Sequence, residues 1–348
     1  MGGGTPDTTV QEYWNGGIQW FTPSEIGKNK YADKSERTIS QEGLNNSSAK
    51  LLPINTILLS TRATIGESSI AKEECCTNQG FQSLIANEEI VCYEYLYYLV
   101  ATLTKELIRK SCGSTFLEIS ANEVRKIKTF IPNLEEQRKV SSLLSLIDER
   151  IATQIKIIEK LESLIKGLCS SLFDKNKYDS FVRLGDISEI TNGNSDVQDA
   201  SLSYSDGMYP FFDRSEDIKF LPEYLLDKEA IIYPGEGSEF YPRYYNGKFA
   251  LHQRCYAIYD ISPNFAPRYL YYFCQTQNSY FVRNAVGSTV ASLRLDTFKR
   301  LNIPNTPIEI QKAYVQLLDK IESKIIDNKT ILKKYEEQKR YLLSKLFI

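Results

Sequence analysis

The phrase IPNLEEQRK at 131–139 returns as IPNTPIEIQK at 303–312. A chain that carries one phrase twice, half its length apart, is built from two copies of one unit, and this limits its folds more than composition can. A shift of 174 positions lays Tyr95-Leu96-Tyr97-Tyr98 on Tyr269-Leu270-Tyr271-Tyr272 and Gly113-Ser114-Thr115 on Gly287-Ser288-Thr289. From Gln137 to Phe173 the shift gives 12 identities in 37 positions. Chance gives roughly two or three at ordinary residue frequencies. Only the stretch between the GST and IP landmarks slips, by two residues.

Each copy runs from a mixed region of short apolar runs and turns, through the IP phrase, into a long helix. The first helix is predicted to begin near Asn133, with Glu136 three residues on as in a capping box. The second is predicted to begin at Thr306, with Pro307 in the first helical position and Glu309 completing the box. Apolar residues then recur in alternating steps of four and three, the period of a coiled-coil seam. The seam reads Ile147, Ile151, Gln154, Ile158, Leu161 in one copy and Ile321, Ile325, Asn328, Leu332, Tyr335 in the other. Gln154 and Asn328 fall at matched positions, where a polar amide fixes register at a cost in stability. Two equal helices most simply pair with each other, antiparallel.

Strand-like runs occur at 55–60, 82–86, 229–233 and 255–259, and helical ones at 93–110 and 268–284. The fold expected is α+β (mixed α/β): two globular domains joined by two long antiparallel coiled-coil helices. The boundaries expected are 1–132 and 181–304 for the domains, 133–174 and 305–348 for the helices, and 175–180 for a polar linker. Spacing favours the YLYY tyrosines as a buried helix face.

Much chemistry is missing. The formal net charge of −2 predicts neither a nucleic-acid nor a membrane partner from bulk charge. No apolar run is long enough to span a bilayer. Seven irregularly spaced cysteines read as reduced buried thiols. His252 is the one histidine, and GxxxxGK[ST] is absent. The sequence Tyr233-Pro234-Gly235-Glu236-Gly237 looks like a cofactor turn, but a loop with a proline follows it where a ligand-holding helix is needed. A self-contained enzyme is not expected.

At this point the two copies share a frame and differ in loops, the pattern of a scaffold that presents two binding surfaces. The divergent loops hold Thr61, Arg62, Thr64, Asn78 and Gln79 in copy one. Copy two holds Arg243, Tyr245, Lys248, His252, Gln253 and Arg254. Arginine pairs with guanine and asparagine or glutamine with adenine through two hydrogen bonds each, so these are candidate DNA contacts.

GSTFLEIS with IPNLEEQRKV, and GSTVASLR with IPNTPIEIQK, resemble the specificity subunit of type I restriction–modification enzymes. The helix ends SSLF and SKLF, the opening GGTPD, and the phrases STRATIG and TNQG belong to the same resemblance, which covers essentially the whole chain. It implies that each mixed region is a target recognition domain reading one half of a bipartite double-stranded DNA site. The helices would set the gap. Two methylation subunits and motor-nuclease (restriction) subunits would be partners, carrying S-adenosylmethionine, ATP and Mg, with no cofactor and no catalytic residue on this chain. The setting would be cytoplasmic. Copy two opens with FVRLGDISEITNGN at 181–194, whereas copy one matches only the end of that stretch, so about ten residues expected by internal symmetry are missing. The reading from a different class is a coiled-coil scaffold carrying two protein- or carbohydrate-binding modules.

Overall fold

The computed structural model describes residues 1–113, 117–287 and 289–347. Ser114, Thr115 and Ser288, three of the repeated GST residues, lie outside the described residues. Two compact units are present, Met1–Gln154 with Ile331–Ile348, and Ile155–Thr330. The units therefore do not coincide with the sequence repeats. Each takes one mixed region and part of both long helices.

In unit 1, strands β1 (Trp14–Phe21), β2 (Tyr31–Ala32) and β3 (Arg37–Ile39) precede a short helix α1 (Gln41–Asn45), then β4 (Ile57–Leu59), β5 (Ser68–Ala71) and β6 (Cys75–Thr77). They form two three-stranded sheets, ordered β3-β1-β6 and β2-β5-β4. The run at 82–86 makes isolated bridges from Gln82 and Leu84 rather than a strand. The helical run at 93–110 is broken at Leu103 into α2 (Tyr93–Thr102) and α3 (Thr104–Arg109), and α4 (Ala121–Arg125) follows.

The first long helix, α5 (Leu134–Leu172), opens under an Asn133 cap, with the Glu136 N–H donating to Asn133 Oδ1 at 3.0 Å. Unit 2 then carries β7 (Phe181–Arg183), α6 (Leu184–Ile187), β8 (Glu189–Asn192), β9 (Tyr209–Phe212), β10 (Lys219–Leu221), β11 (Leu226–Pro234), β12 (Arg243–Leu251) and β13 (Cys255–Tyr259). Six of these strands form one sheet ordered β10-β9-β12-β11-β13-β8. Helices α7 (Pro267–Gln275), α8 (Asn278–Asn284) and α9 (Leu295–Lys299) cover it, strand β14 (Asn302–Pro304) pairs with β7, and α10 (Ile308–Leu346) closes the chain.

The cap expected at Thr306 does not form. Thr306 Oγ1 is 2.9 Å from the buried Tyr269 hydroxyl, and the Pro307 carbonyl accepts from the Ile310 and Gln311 N–H groups instead. The core interaction at Tyr269 displaces the local preference.

Within each unit the long-helix segments run antiparallel. Lys339 pairs with Asp148 at 2.6 Å in unit 1, and Lys329 with Glu162 at 2.7 Å in unit 2. Along the helices Ile147, Gln154, Ile158, Ile321 and Ile325 are buried, while Ile151, Leu161, Asn328, Leu332 and Tyr335 are half-buried among exposed neighbours. These positions occupy one stripe because i, i+3, i+4 and i+7 share a helix face.

Each mixed region is fastened to the helices in the same way. Tyr95 stacks on Phe347 at 4.9 Å in unit 1, and Tyr269 meets Phe173 edge-on at 5.3 Å in unit 2. The Tyr98 hydroxyl donates to Asp148 at 2.6 Å, and the matched Tyr272 hydroxyl to Asp319 at 2.7 Å. Burial and the neighbouring carboxylate raise the pKa of both tyrosines, so both remain neutral donors. All four YLYY tyrosines at these contacts (Tyr95, Tyr98, Tyr269, Tyr272) are buried.

The repeated phrase has its explanation in one side chain. Gln137 is fully buried. Its Oε1 accepts the Cys92 N–H at 3.0 Å, and its Nε2 donates to the carbonyls of Ile90 at 2.9 Å and Pro132 at 2.8 Å. Gln311, also fully buried, accepts from Ala266 at 2.9 Å and donates to Asn264 at 2.9 Å and Thr306 at 2.7 Å. A carboxamide supplies one acceptor and two donors, which these three backbone groups need. The clamp ties the start of each long helix to the loop that opens the tyrosine helix.

Candidate nucleic-acid interface

In both units four segments of chain meet in one loop cluster. The first is the glycine-rich stretch at 2–5 or 192–195. A Cβ on Gly3 would lie 2.1 Å from the Asn78 carbonyl, and one on Gly193 2.0 Å from that of Leu251. Glycine is needed there because two backbones touch. The second segment is the turn at 77–80 or 251–254. Asn78 Oδ1 accepts the Gly80 N–H at 2.8 Å, and His252 Nδ1 accepts the Arg254 N–H at 3.2 Å. Asparagine and histidine thus perform one task, a side-chain acceptor closing a turn two residues on.

The third and fourth segments interlock. Arg62 bridges to Glu118, which bridges back to Cys112, and Glu236 bridges to Ser292, which bridges back to Val286. These closures hold the ends of the GST loops, with Gly113 and Gly287 at positive φ and Thr289 exposed. The glycines of the 233–237 run serve this packing. A Cβ on Gly235 would lie 1.9 Å from the Arg254 carbonyl, and Tyr233 is buried with its hydroxyl on the Cys274 carbonyl.

Side chains at matched positions differ. Arg62 pairs with Glu118 at 2.5 Å in unit 1; its counterpart Glu236 pairs with Arg254 at 2.9 Å in unit 2. Gln79 accepts from Thr5 at 2.7 Å, and Gln253 donates to Asp196 at 3.2 Å. Gln79, Gln253, Arg62 and Arg254 are all exposed.

In unit 2 the cluster encloses a cleft of about 220 Å³ lined by Asp196, Asp213, Arg214, Glu236, His252, Gln253 and Arg254, with Cys255 in its wall. Burial pushes the Cys255 thiol up to about 11, so it is not a thiolate at neutral pH. Burial alone would raise Asp213, but hydrogen bonds from Lys219 at 2.5 Å and Ser215 at 2.6 Å outweigh it and hold the carboxyl below its usual range. With Asp213 matched by Lys219 and Glu236 by Arg254, the cleft offers donors and acceptors with little net charge. That composition suits a base edge better than a phosphate.

Asp213→Asn should lose roughly 2–4 kcal/mol at pH 7 by stranding Lys219. Because the folded pKa is depressed, that stability is full above the unfolded value near 4 and disappears as pH falls through the folded value. The gap between the melting curves of the two proteins should narrow as pH falls below the unfolded value near 4; a gap that stays constant in acid would assign the loss to packing.

The other candidates sit elsewhere. Thr61 is buried and its hydroxyl donates to the Gly80 carbonyl at 3.1 Å, which removes it from any contact surface. Thr64 donates to Ser60 Oγ. Arg243 bonds the Ser215 carbonyl, Tyr245 packs on Phe212 and Phe249, and Lys248 lies 4.8 Å over the Tyr224 ring. None of the last three lines the cleft. Sequence reasoning missed Asp196, Asp213, Arg214 and Glu236. Asp196 lies just beyond the stretch at which copy one begins to match copy two, and nothing local marked Asp213. Among the described residues no His, Cys, Asp and Glu group could hold a metal ion, and no helix is long and apolar enough to cross a membrane.

A duplicated α+β frame that displays two unlike loop clusters is the architecture of a recognition protein. Comparison with known proteins is specific. The sequence pattern of the type I restriction modification DNA specificity domain matches twice, at residues 1–163 and 177–337. The MjaIX type I restriction enzyme specificity subunit of Methanocaldococcus jannaschii is 28% identical over 387 aligned positions, spanning 99% of this chain and 89% of that one. The S subunit of the type I restriction–modification system of M. genitalium has the same fold, with TM-score 0.66 at 16% identity over 96% of this chain and 93% of its own. A chain solved in work on complex assembly of the type I R-M system matches with TM-score 0.57 at 17% identity over 91% of this chain and 90% of its own. The chain belongs to the type I restriction–modification DNA specificity family. Its role is that of the DNA-recognition subunit, which acts with other subunits and is not itself the catalyst.

Proposed function

We propose that each unit reads one half of a split DNA site, through the loop cluster at 62, 78–80, 112–113 and 117–118 in unit 1 and at 196, 236, 252–254, 286–287 and 289–292 in unit 2. The observation that carries this is one cluster built twice with different side chains: Arg62 against Glu236, Asn78 against His252, Gly80 against Arg254. A shared frame with unlike reading groups recognises two unlike sequences, so the whole target is asymmetric. Arg254 reaches DNA by leaving Glu236, an exposed ion pair worth at most about 1 kcal/mol.

Two methylation subunits and motor-nuclease subunits are the partners. Support for the two-fold count comes from apolar residues exposed at matched positions, Leu143 with Leu317 and Ile157 with Ile331. S-adenosylmethionine, ATP and Mg belong to those partners, and the complex works in the cytoplasm.

The test is co-expression with the methylation subunit followed by methylome sequencing, which should show methyladenine on a two-part motif with a fixed gap. Arg254→Ala and Gln253→Ala should each weaken specific binding by about 1–3 kcal/mol and relax one half-motif only. Relaxation of both halves by one substitution would contradict the assignment of one half to each unit.

A further inference from the structure

In unit 2 the mixed region is fastened to α10 by polar groups at two places. One is the Gln311 clamp. The other is Arg268 on α7, which meets Asp319 and Glu322, eight and eleven residues further along α10. Arg268 Nε and Nη2 donate to Asp319 Oδ1 at 3.0 and 2.6 Å, and Nη2 also donates to Glu322. The Tyr272 hydroxyl accepts from Nη2 at 2.7 Å. The rings of Tyr244, Tyr271 and Tyr272 lie 4.7, 5.0 and 4.9 Å from the guanidinium carbon. A planar fork held between two carboxylates and three rings has one orientation. Tyr244 belongs to β12, the strand that leads into the 252–254 turn, and the Tyr233 hydroxyl on the Cys274 carbonyl ties α7 to β11. Sheet, α7 and long helix are thus joined at Arg268.

Unit 1 makes the same joint from other residues. Glu94 stands at the position of Arg268, and Ser145 at that of Asp319. The cation is Lys30, just ahead of β2. Its Nζ donates to Ser145 at 2.6 Å and to Glu94 at 3.4 Å, and lies 5.1 Å over the Tyr98 ring and 5.3 Å over that of Tyr31. Ser145 is eight residues past Gln137, as Asp319 is past Gln311. Both units therefore hold a caged cation at the same lever arm from the glutamine clamp, about 12 Å at the rise of an α-helix. The clamp gathers its bonds on one side chain, which fixes a point and not an angle. Apolar packing between the two places, at Tyr314 and Leu318 in unit 2, has no direction of its own. The second polar contact supplies the angle.

We propose that Arg268 and Lys30 are positioning residues, which set the angle at which each mixed region stands on its long helix and so restrict the subunit to one gap length. This rests on the reading that each unit takes one half of a split site. Neither residue belongs to the loop clusters. One base pair moves a half-site by about 3.4 Å and turns it by about 35°. A mixed region held at one angle rejects that change, whereas one that rocks on its glutamine clamp follows it part of the way.

The experiment uses the full chain co-expressed with the methylation subunit. The parent methylome gives the split motif. Duplexes carrying both half-motifs at the native gap, and at gaps one base pair longer and shorter, are then compared for binding and methylation by the purified complex. Arg268→Leu is expected to reduce the preference for the native gap roughly tenfold, with the bases of each half-motif unchanged. Arg268→Lys keeps the charge without the fork and should recover part of the preference. Lys30→Met should reduce it in the same way from unit 1. A residue that only adds stability would lower the melting temperature and weaken all three duplexes equally. A preference within about twofold of the parent, in a complex that still assembles, would overturn the proposal, as would relaxed base identity inside a half-motif. If Arg268→Leu does not assemble, Arg268→Lys and Lys30→Met decide by the same comparison. A parent methylome with no split motif of fixed gap would overturn both this proposal and the reading beneath it, whereas an unmoved preference in the variants would overturn this proposal alone.

Discussion

A chain lacking one heptad from each long helix, residues 151–157 and 325–331, is expected to abandon its original methylation motif and mark one with a shorter gap. Both helices are 39 residues long and continuous, and each contributes to both units. Seven residues rise about 10.5 Å, close to three base pairs. The excision keeps the seam, because Ile158 then follows Ile147, and Leu332 follows Ile321, at a step of four. A heptad also turns a straight helix by only about 20°. DNA does not share that economy: three base pairs turn it by about 100°. The shortened protein therefore meets half-sites on a different face of the duplex, and activity on the original motif should fall at least a hundredfold. Methylome sequencing of cells carrying the deletion with the methylation subunit reads the result directly. An unchanged gap would show that the helices do not set it; a stable complex with no mark would show that twist outweighs distance.

The long helices were legible because their signal is local. Periodicity, the absence of proline and the Asn133 cap all lie within the segment they describe. What failed was where tertiary contact competes with local preference. Thr306 has the sequence of an N-cap, but the buried Tyr269 hydroxyl takes its side chain. The apolar run at 82–86 has strand composition, yet strand pairing depends on neighbours that arrive from elsewhere, and only bridges form. The alignment of the copies placed Arg62, Gln79, Gln253 and Arg254 on exposed loops, but could not tell them from Thr61, one step away and buried. Asp213 was invisible because its partners Lys219 and Ser215 mean nothing until the β9–β10 turn is folded. The unit boundaries were hidden for a related reason: sequence divides a chain by linkers, whereas packing divides it by contacts, and the helices belong to both units.

Gln137→Leu should cost unit 1 about 3–6 kcal/mol, although the new side chain is close in size and more apolar. The substitution leaves the Cys92 N–H and the carbonyls of Ile90 and Pro132 without the partner they have here. Each buried polar group so stranded costs about 1–3 kcal/mol, with some relief where water enters. At roughly 2–4 °C per kcal/mol for a unit of this size, the melting transition should fall by about 6–24 °C. Gln311→Leu should do the same to unit 2, and amide exchange resolved along the chain should locate each loss in its own unit. The double substitution approaches the whole stability of an ordinary domain. Gln137→Glu separates hydrogen bonding from size. Ionised, it still accepts from Cys92 but donates to neither carbonyl and buries a charge, which raises its folded pKa. Its stability is then greatest below the unfolded value near 4.3 and is lost as pH rises through the folded value, so mild acid should partly rescue the glutamate variant and leave the leucine variant unchanged. A Gln137→Leu melting point within about 2 °C of the parent would mean that the three bonds are replaceable by solvent. The repeated phrase would then need another reason to carry glutamine at the same place in both copies.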